Sequence, residues 1–117
     1  MAWIRDSVKQ TDVGITVTEG FAQITYLSTD KSSAYPGEFV RILTRVKNTA
    51  GQAGTSEDIA VIVGLFDPDT GAAIDTFEKS YGLLKDQESS DLVYQATIPS
   101  DYVGTKITAA AIGFHWE

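Results

Sequence analysis

The sequence predicts an all-β protein: an antiparallel β-sandwich of about seven short strands with an N-terminal arm. Three observations carry this expectation. Apolar residues alternate with polar ones in stretches such as "VGITVTE" and "FVRILTRVKN", the period of a half-buried strand. Turn residues separate these stretches, among them Pro36-Gly37 and "DPDTG", where proline presets φ and glycine accepts a positive one. Helical periodicity is missing; only Ser7–Thr11 or "YGLLKDQ" is a candidate for a turn or two of helix. A chain of 117 residues fits one domain, read as an arm over residues 1–19 and a sandwich over 20–117.

In chain order, Val13–Glu19 is the first strand, with Val13, Ile15 and Val17 on one face. Phe21–Ser28 follows after Gly20, and "TDKSSAYPGE" is a polar loop. In "FVRILTRVKN", Val40, Ile42, Thr44 and Val46 face inward, while Arg41, Leu43, Arg45 and Lys47 face solvent. Asp58–Phe66 is apolar on both faces, the pattern of a central strand or one covered on both sides. Ala72–Tyr81 returns from the "DPDTG" turn as its hairpin partner. "SDLVYQATI" alternates with Leu92, Tyr94, Ala96 and Ile98 inward, and the last strand, Thr105–Trp116, is again apolar on both faces.

Composition narrows the function. The formal net charge of −7 argues against tracking nucleic-acid phosphates, which needs a net basic face. No apolar run reaches the roughly 18 residues that a membrane-spanning helix requires, so no membrane insertion is expected. The start, "MAWIRDSVKQTD", lacks the apolar core of a signal peptide. With no cysteine, disulfides and thiolate metal sites are excluded. Asn48 is the sole asparagine, and "NTA" is not a glycosylation acceptor. Neither a nucleophile–base pair nor a metal set is recognisable, so the expectation is a non-enzymatic protein without cofactors.

From residue 21 onward three stretches share a pattern: "YPGEFVRILTRVKNTA", "VIVGLFDPDTGAAI" and "DLVYQATIPSDYVGTKITAAAI". Their order resembles an immunoglobulin-like sandwich of the cell-adhesion-related (CARDB-like) kind found in microbial surface proteins. The resemblance implies a Pro-Gly-Glu turn, a strand ending in Lys-Asn, a hairpin, and a strand ending in Thr-Ile-Pro before a glycine. These motifs describe a fold and not an activity. It also implies one more strand beside Thr105–Trp116, which this chain lacks downstream, while Val13–Glu19 is spare upstream.

That mismatch defines the candidate site. The assembly arm, with Trp3, Ile4, Val13, Ile15 and Val17, is expected to cover the last strand through Ile107, Ala109, Ala111, Ile112, Phe114 and Trp116. The donor is either the same chain or a neighbouring copy, by donor-strand complementation. If residues 13–28 form one bent strand with a bulge at Glu19-Gly20, its first half can reach the second sheet. Trp3 is read as an aromatic anchor.

Arg41, Arg45 and Lys47 are candidates for gripping an acidic partner or sulfated glycan, or else for pairing with a neighbouring strand, Asp91 above all. "DPDTG" has carboxylate spacing seen in calcium loops but reads as a type I turn with Gly71 at the left-handed position. His115, the only histidine, lacks a triad motif. Exposed aromatics would favour a glycan; Tyr35, Phe39 and Tyr102 lie near loops. The functional expectation is a structural subunit that associates with copies of itself or a larger protein lattice, in a virion or at an extracellular surface. The rival is a glycan- or protein-binding adhesion module.

Overall fold

The computed structural model describes residues 3–10, 16–18, 21–49, 55–104 and 106–116, with backbone alone for 4–10 and 16–18. The strands are β1 (Trp3–Gln10), β2 (Thr16–Thr18), β3 (Ala22–Thr29), β4 (Phe39–Asn48), β5 (Glu57–Phe66), β6 (Ala73–Leu84), β7 (Ser89–Thr97) and β8 (Thr108–Trp116). They form two antiparallel sheets, in the orders β2-β1-β8-β5-β6 and β3-β4-β7. The described residues from 21 onward therefore supply six strands, three to a sheet, where about seven were expected; the described N-terminal residues add two more. No described residue is helical: Ser7–Gln10 belongs to β1 and Tyr81–Leu84 to β6.

The strand beside β8 is not Val13–Glu19 but Trp3–Gln10. Its register runs from Trp3↔Trp116 to Gln10↔Ala110, with a bulge between Arg5 and Ser7. Val17 sits one strand further out, on β2, opposite Val8; Val13 and Ile15 lie outside the described residues. "WIRDSVKQ" has three apolar residues in eight, too few for periodicity to mark a strand. What makes it one is the backbone ladder that β8 offers on its free edge. The chain changes sheet between Thr18 and Ala22.

The alternation of β4 is realised as read: Val40, Ile42, Thr44, Val46 and Asn48 are buried, and Arg41 and Arg45 are exposed. Ile59, Val61, Val63 and Leu65 of β5 meet them across the core, with Ala22, Ile24, Leu84, Ala96, Ala109 and Ala111. Small residues on the inner side of β8 let β3 come close; at Gly113 an added Cβ would stand 2.6 Å from the Ala22 carbonyl oxygen. Buried polar groups tie the halves together. The Thr44 hydroxyl donates to the Tyr26 carbonyl at 3.0 Å. Asn48 Nδ2 donates to the carbonyls of Leu84 (2.9 Å) and Thr55 (3.1 Å), linking β4 to the opposite sheet.

Both turns behave as their residues require. Glu38 N–H donates to the Tyr35 carbonyl at 3.1 Å across Pro36-Gly37, with Gly37 at φ 88°, a type II turn. In the β5–β6 turn, Asp69 N–H donates to Asp67 Oδ1 and Gly71 N–H to the Asp67 carbonyl, both at 2.8 Å; Gly71 has φ 75°.

The edges of β6 and β7 are clamped by Asp75. Tyr94 Oη donates to Asp75 Oδ1 at 2.5 Å, Thr97 N–H donates to Oδ2 at 2.8 Å, and Phe77 stacks on Tyr94 with centroids 5.2 Å apart. By contrast, the buried Tyr81 hydroxyl has no hydrogen-bond partner among the described residues. Removing a satisfied donor and removing an orphan should differ in sign. Tyr94→Phe is expected to destabilise by about 1 kcal/mol, and Tyr81→Phe to be neutral or stabilising by a similar amount; urea titration of both variants checks this.

The same tyrosines set the alkaline limit. The hydrogen bond to Asp75 and partial burial raise Tyr94, burial and the Asp91 charge push Tyr81 up to about 12, and burial with Asp67 and Asp69 raises Tyr102. In each case the folded chain holds the proton more tightly than the unfolded chain, where tyrosine titrates near 10. Their contribution is thus complete below about pH 10 and is lost as pH rises through the folded values. Melting temperatures measured at intervals from pH 8 to 12 are expected to be flat to about pH 10 and then to fall.

Candidate assembly interface

The inner side chains of β5 and β8 fill the core, so alternation turns their remaining residues to the outer face of the larger sheet. On β5 these are Ala60, Ile62, Gly64 and Phe66; on β8 they are Thr108, Ala110, Ile112, Phe114 and Trp116. The ladder sets Ala60 opposite Phe114, Ile62 opposite Ile112, Gly64 opposite Ala110 and Phe66 opposite Thr108. Ala60 and Ala110 are 2% and 4% exposed even on this outer side. Ile62, Phe66, Ile112 and Phe114 are half-buried and Trp116 is exposed. The result is a continuous apolar strip over two central strands. Antiparallel sheets ordinarily solvate one face and carry polar residues there.

The strip ends in an aromatic pair. Trp3 of β1 meets Trp116 edge-to-face, with centroids 5.1 Å apart, and both indoles keep more than a third of their surface in solvent, at 38% and 36%. Trp3 therefore anchors on the last strand rather than in a pocket. Ile4 pairs with His115 in the β1–β8 ladder.

The receiving residues divide between two surfaces. Ala109 and Ala111 belong to the core, whereas Ile112, Phe114 and Trp116 line the outer strip. Ile107 precedes β8 and packs against the core beside a cleft, so it is not on the strand that β1 pairs.

Arg41, Arg45 and Lys47 share the outer face of the smaller sheet, away from the strip. Arg45 makes a bidentate pair with Asp91, at 2.6 Å (Nε–Oδ1) and 3.1 Å (Nη2–Oδ2), and its guanidinium lies 6.0 Å from the Tyr26 ring centroid. The guanidinium holds the Asp91 carboxyl below the usual range, and Asp91 raises Arg45. Exposed and screened by solvent, such a pair adds little stability. Arg41 Nε donates to Gln95 Oε1 at 3.4 Å.

A cleft of about 520 Å³ opens at one end of the sandwich, between the β3–β4, β5–β6 and β7–β8 connections. Val40, Leu65, Ile98 and Ile107 form its apolar wall, with Tyr102, Lys31 and Lys106 beside them. Tyr102 Oη donates to the Lys106 carbonyl at 2.6 Å. Lys31 Nζ lies 2.6 Å from the Phe39 carbonyl and 3.4 Å from Glu38 Oε2. Periodicity could not have revealed the cleft, since three connections distant in sequence create it.

His115 is buried, with its ring 4.9 Å from Phe21 in an edge-to-face contact. Among the described residues, no three His, Cys, Asp or Glu side chains gather to hold a metal ion. Fold and surface together define a two-sheet β-sandwich that carries an apolar strip on the outside of its larger sheet. No protein-family model, curated protein or solved structure matches the chain.

Proposed function

We propose that the protein is a non-enzymatic structural subunit, an immunoglobulin-like sandwich that associates with copies of itself or docks on a larger protein lattice, as a virion decoration or tail component or as a surface-filament subunit. The observation that carries this reading is the apolar strip in which Ile62, Phe66, Ile112, Phe114 and Trp116 keep part of their surface in solvent. Contiguous apolar surface rimmed by polar groups marks interaction sites. The strand order supports the immunoglobulin-like part. β3-β4-β7 faces β6-β5-β8, and β1 occupies the position beside β8 that a last strand would fill.

The test is solution mass by light scattering over a concentration series, for the full chain and for Ile112→Lys. Ile112 is half-buried on the outer face, so the variant should fold, at a cost of about 1 kcal/mol. The expected result is concentration-dependent assembly by the full chain and its loss in the variant, with melting temperature little changed. A monomer at every concentration would overturn self-association and favour the adhesion-module reading, for which Tyr26, Tyr35 and Phe39, all exposed, are the first residues to probe.

A further inference from the structure

The outer face of the β3-β4-β7 sheet differs in charge from the rest of the molecule. Its cross-strand rows are Gln23–Lys47–Ser89, Tyr26–Arg45–Asp91, Ser28–Leu43–Val93, Arg41–Gln95 and Phe39–Thr97. Three cations against the one carboxylate of Asp91 give this face a charge of +2, which leaves −9 for the remainder of a chain whose total is −7. The middle row of the face is apolar, with Leu43 beside Val93, which is 62% exposed; the exposed Tyr26 ring lies one row away, and Phe39, 53% exposed, lies at the end of the face beyond Arg41. An aromatic and aliphatic centre flanked by arginine is the make-up of a protein interface.

The opposite arrangement lies at the end of the sandwich that holds the cleft. Glu38, Asp67, Asp69 and Asp101 reach that end on the same three connections, outnumbering Lys31 and Lys106 there. The cleft supplies an apolar wall whose charged lining is Lys31 and Lys106, and the four carboxylates stand on the connections around it. Asp30, whose Oδ1 accepts the Arg41 backbone N–H at 2.9 Å, marks the border between the two surfaces.

We infer that the basic outer face of the β3-β4-β7 sheet docks the acidic, cleft-bearing end of a second copy of this chain. The inference rests on the assembly reading above but uses a different surface from the β5–β8 strip. Each surface has apolar residues among its charges, and the net charges are opposite, +2 on the face and −2 over the four carboxylates and two lysines of the end. Because face and end are different patches, the contact is heterologous and propagates from copy to copy unless it closes into a ring. The Arg45–Asp91 pair fixes one cation in place, and Arg41 and Lys47 on either side supply the attraction.

Charge and apolar contacts separate by salt. The Debye length falls from about 30 Å at 0.01 M to about 3 Å at 1 M salt, so this contact should weaken steeply over that range, whereas association through the β5–β8 strip should not. Sedimentation velocity at both salt concentrations is run on the full chain, on Arg41→Glu/Lys47→Glu, on Asp69→Lys/Asp101→Lys, and on an equimolar mixture of the two variants. All four substituted positions lie on the face or the end and leave the Arg45–Asp91 pair intact; melting curves confirm that both variants fold. The expected result is low-salt association of the full chain that either double variant weakens at least tenfold, and that the mixture restores with the two variants in equal amounts. Association returns because the unaltered basic face of one variant meets the unaltered acidic end of the other, and the two reversed patches are again opposite in charge.

Association unchanged by both variants would overturn the inference, as would a full chain monomeric at low salt. So would binding of the basic face to a sulfated glycan without any self-association. Assembly that survives at 1 M salt and is lost only in Ile112→Lys would sustain the proposed function while refuting this second contact.

Discussion

Deleting residues 1–19 is expected to destabilise the protein strongly and make it aggregate. β1 pairs with β8 from Trp3↔Trp116 to Gln10↔Ala110, and with its loss β8 keeps a partner only on its β5 side. Several ladder hydrogen bonds, each worth about 1 kcal/mol net, disappear together with the Trp3–Trp116 contact. A total of about 3–5 kcal/mol is a large part of the roughly 5–15 kcal/mol that holds a domain folded. The exposed edge would also be flanked by the apolar strip, the combination that recruits other chains. Urea titration and light scattering of the 20–117 fragment measure both effects. If the fragment instead stays soluble and rebinds a peptide of residues 1–19, the N-terminal strand can be exchanged between copies. A fragment as stable as the full chain, with no affinity for the peptide, would show that the β1–β8 ladder contributes nothing.

The second large effect is expected from one methyl group. Gly113→Ala would set a Cβ 2.6 Å from the Ala22 carbonyl oxygen and 3.2 Å from the Ala22 Cβ. The obstacle is backbone in the facing sheet, so relief requires the sheets to part rather than a side chain to turn. Overpacking of this kind costs about 1–3 kcal/mol and sometimes more, and the upper part of that range is expected here. Gly71 provides the contrast: an added Cβ there meets nothing within 4 Å, and only its φ of 75° opposes substitution. Gly71→Ala should therefore cost about 1 kcal/mol, well short of Gly113→Ala. Thermal melts of the two variants side by side check the order.

Strand positions were legible where one face was buried and the other wet. β4 matches the reading residue for residue, from Phe39 to Asn48, because Val40, Ile42, Thr44 and Val46 alternate with charged or solvated neighbours. β7 is similar, with Ala96 buried and Leu92 and Tyr94 half-buried between exposed residues. The double apolar character of β5 and β8 was also legible, and it places both strands inside the larger sheet with a partner on each side. The pairing of Arg45 with Asp91 followed from charge and strand neighbourhood.

What escaped was set by partners distant in sequence. β1 carries too few apolar residues to announce itself, and it is a strand because β8 presents an unpaired edge. The Asp75 clamp joins residues 75, 94 and 97 on the edges of different sheets, and no local pattern encodes such a meeting. The cleft, likewise, exists only once three connections converge. By itself the sequence determined the all-β class, the turns and the inward residues of the central strands, because burial and backbone sterics act on neighbours in the chain. The tertiary structure alone decided which strand covers β8, how closely β3 approaches Gly113, and that a basic sheet face and an acidic end stand apart on one molecule, because long-range backbone pairing and packing determine those.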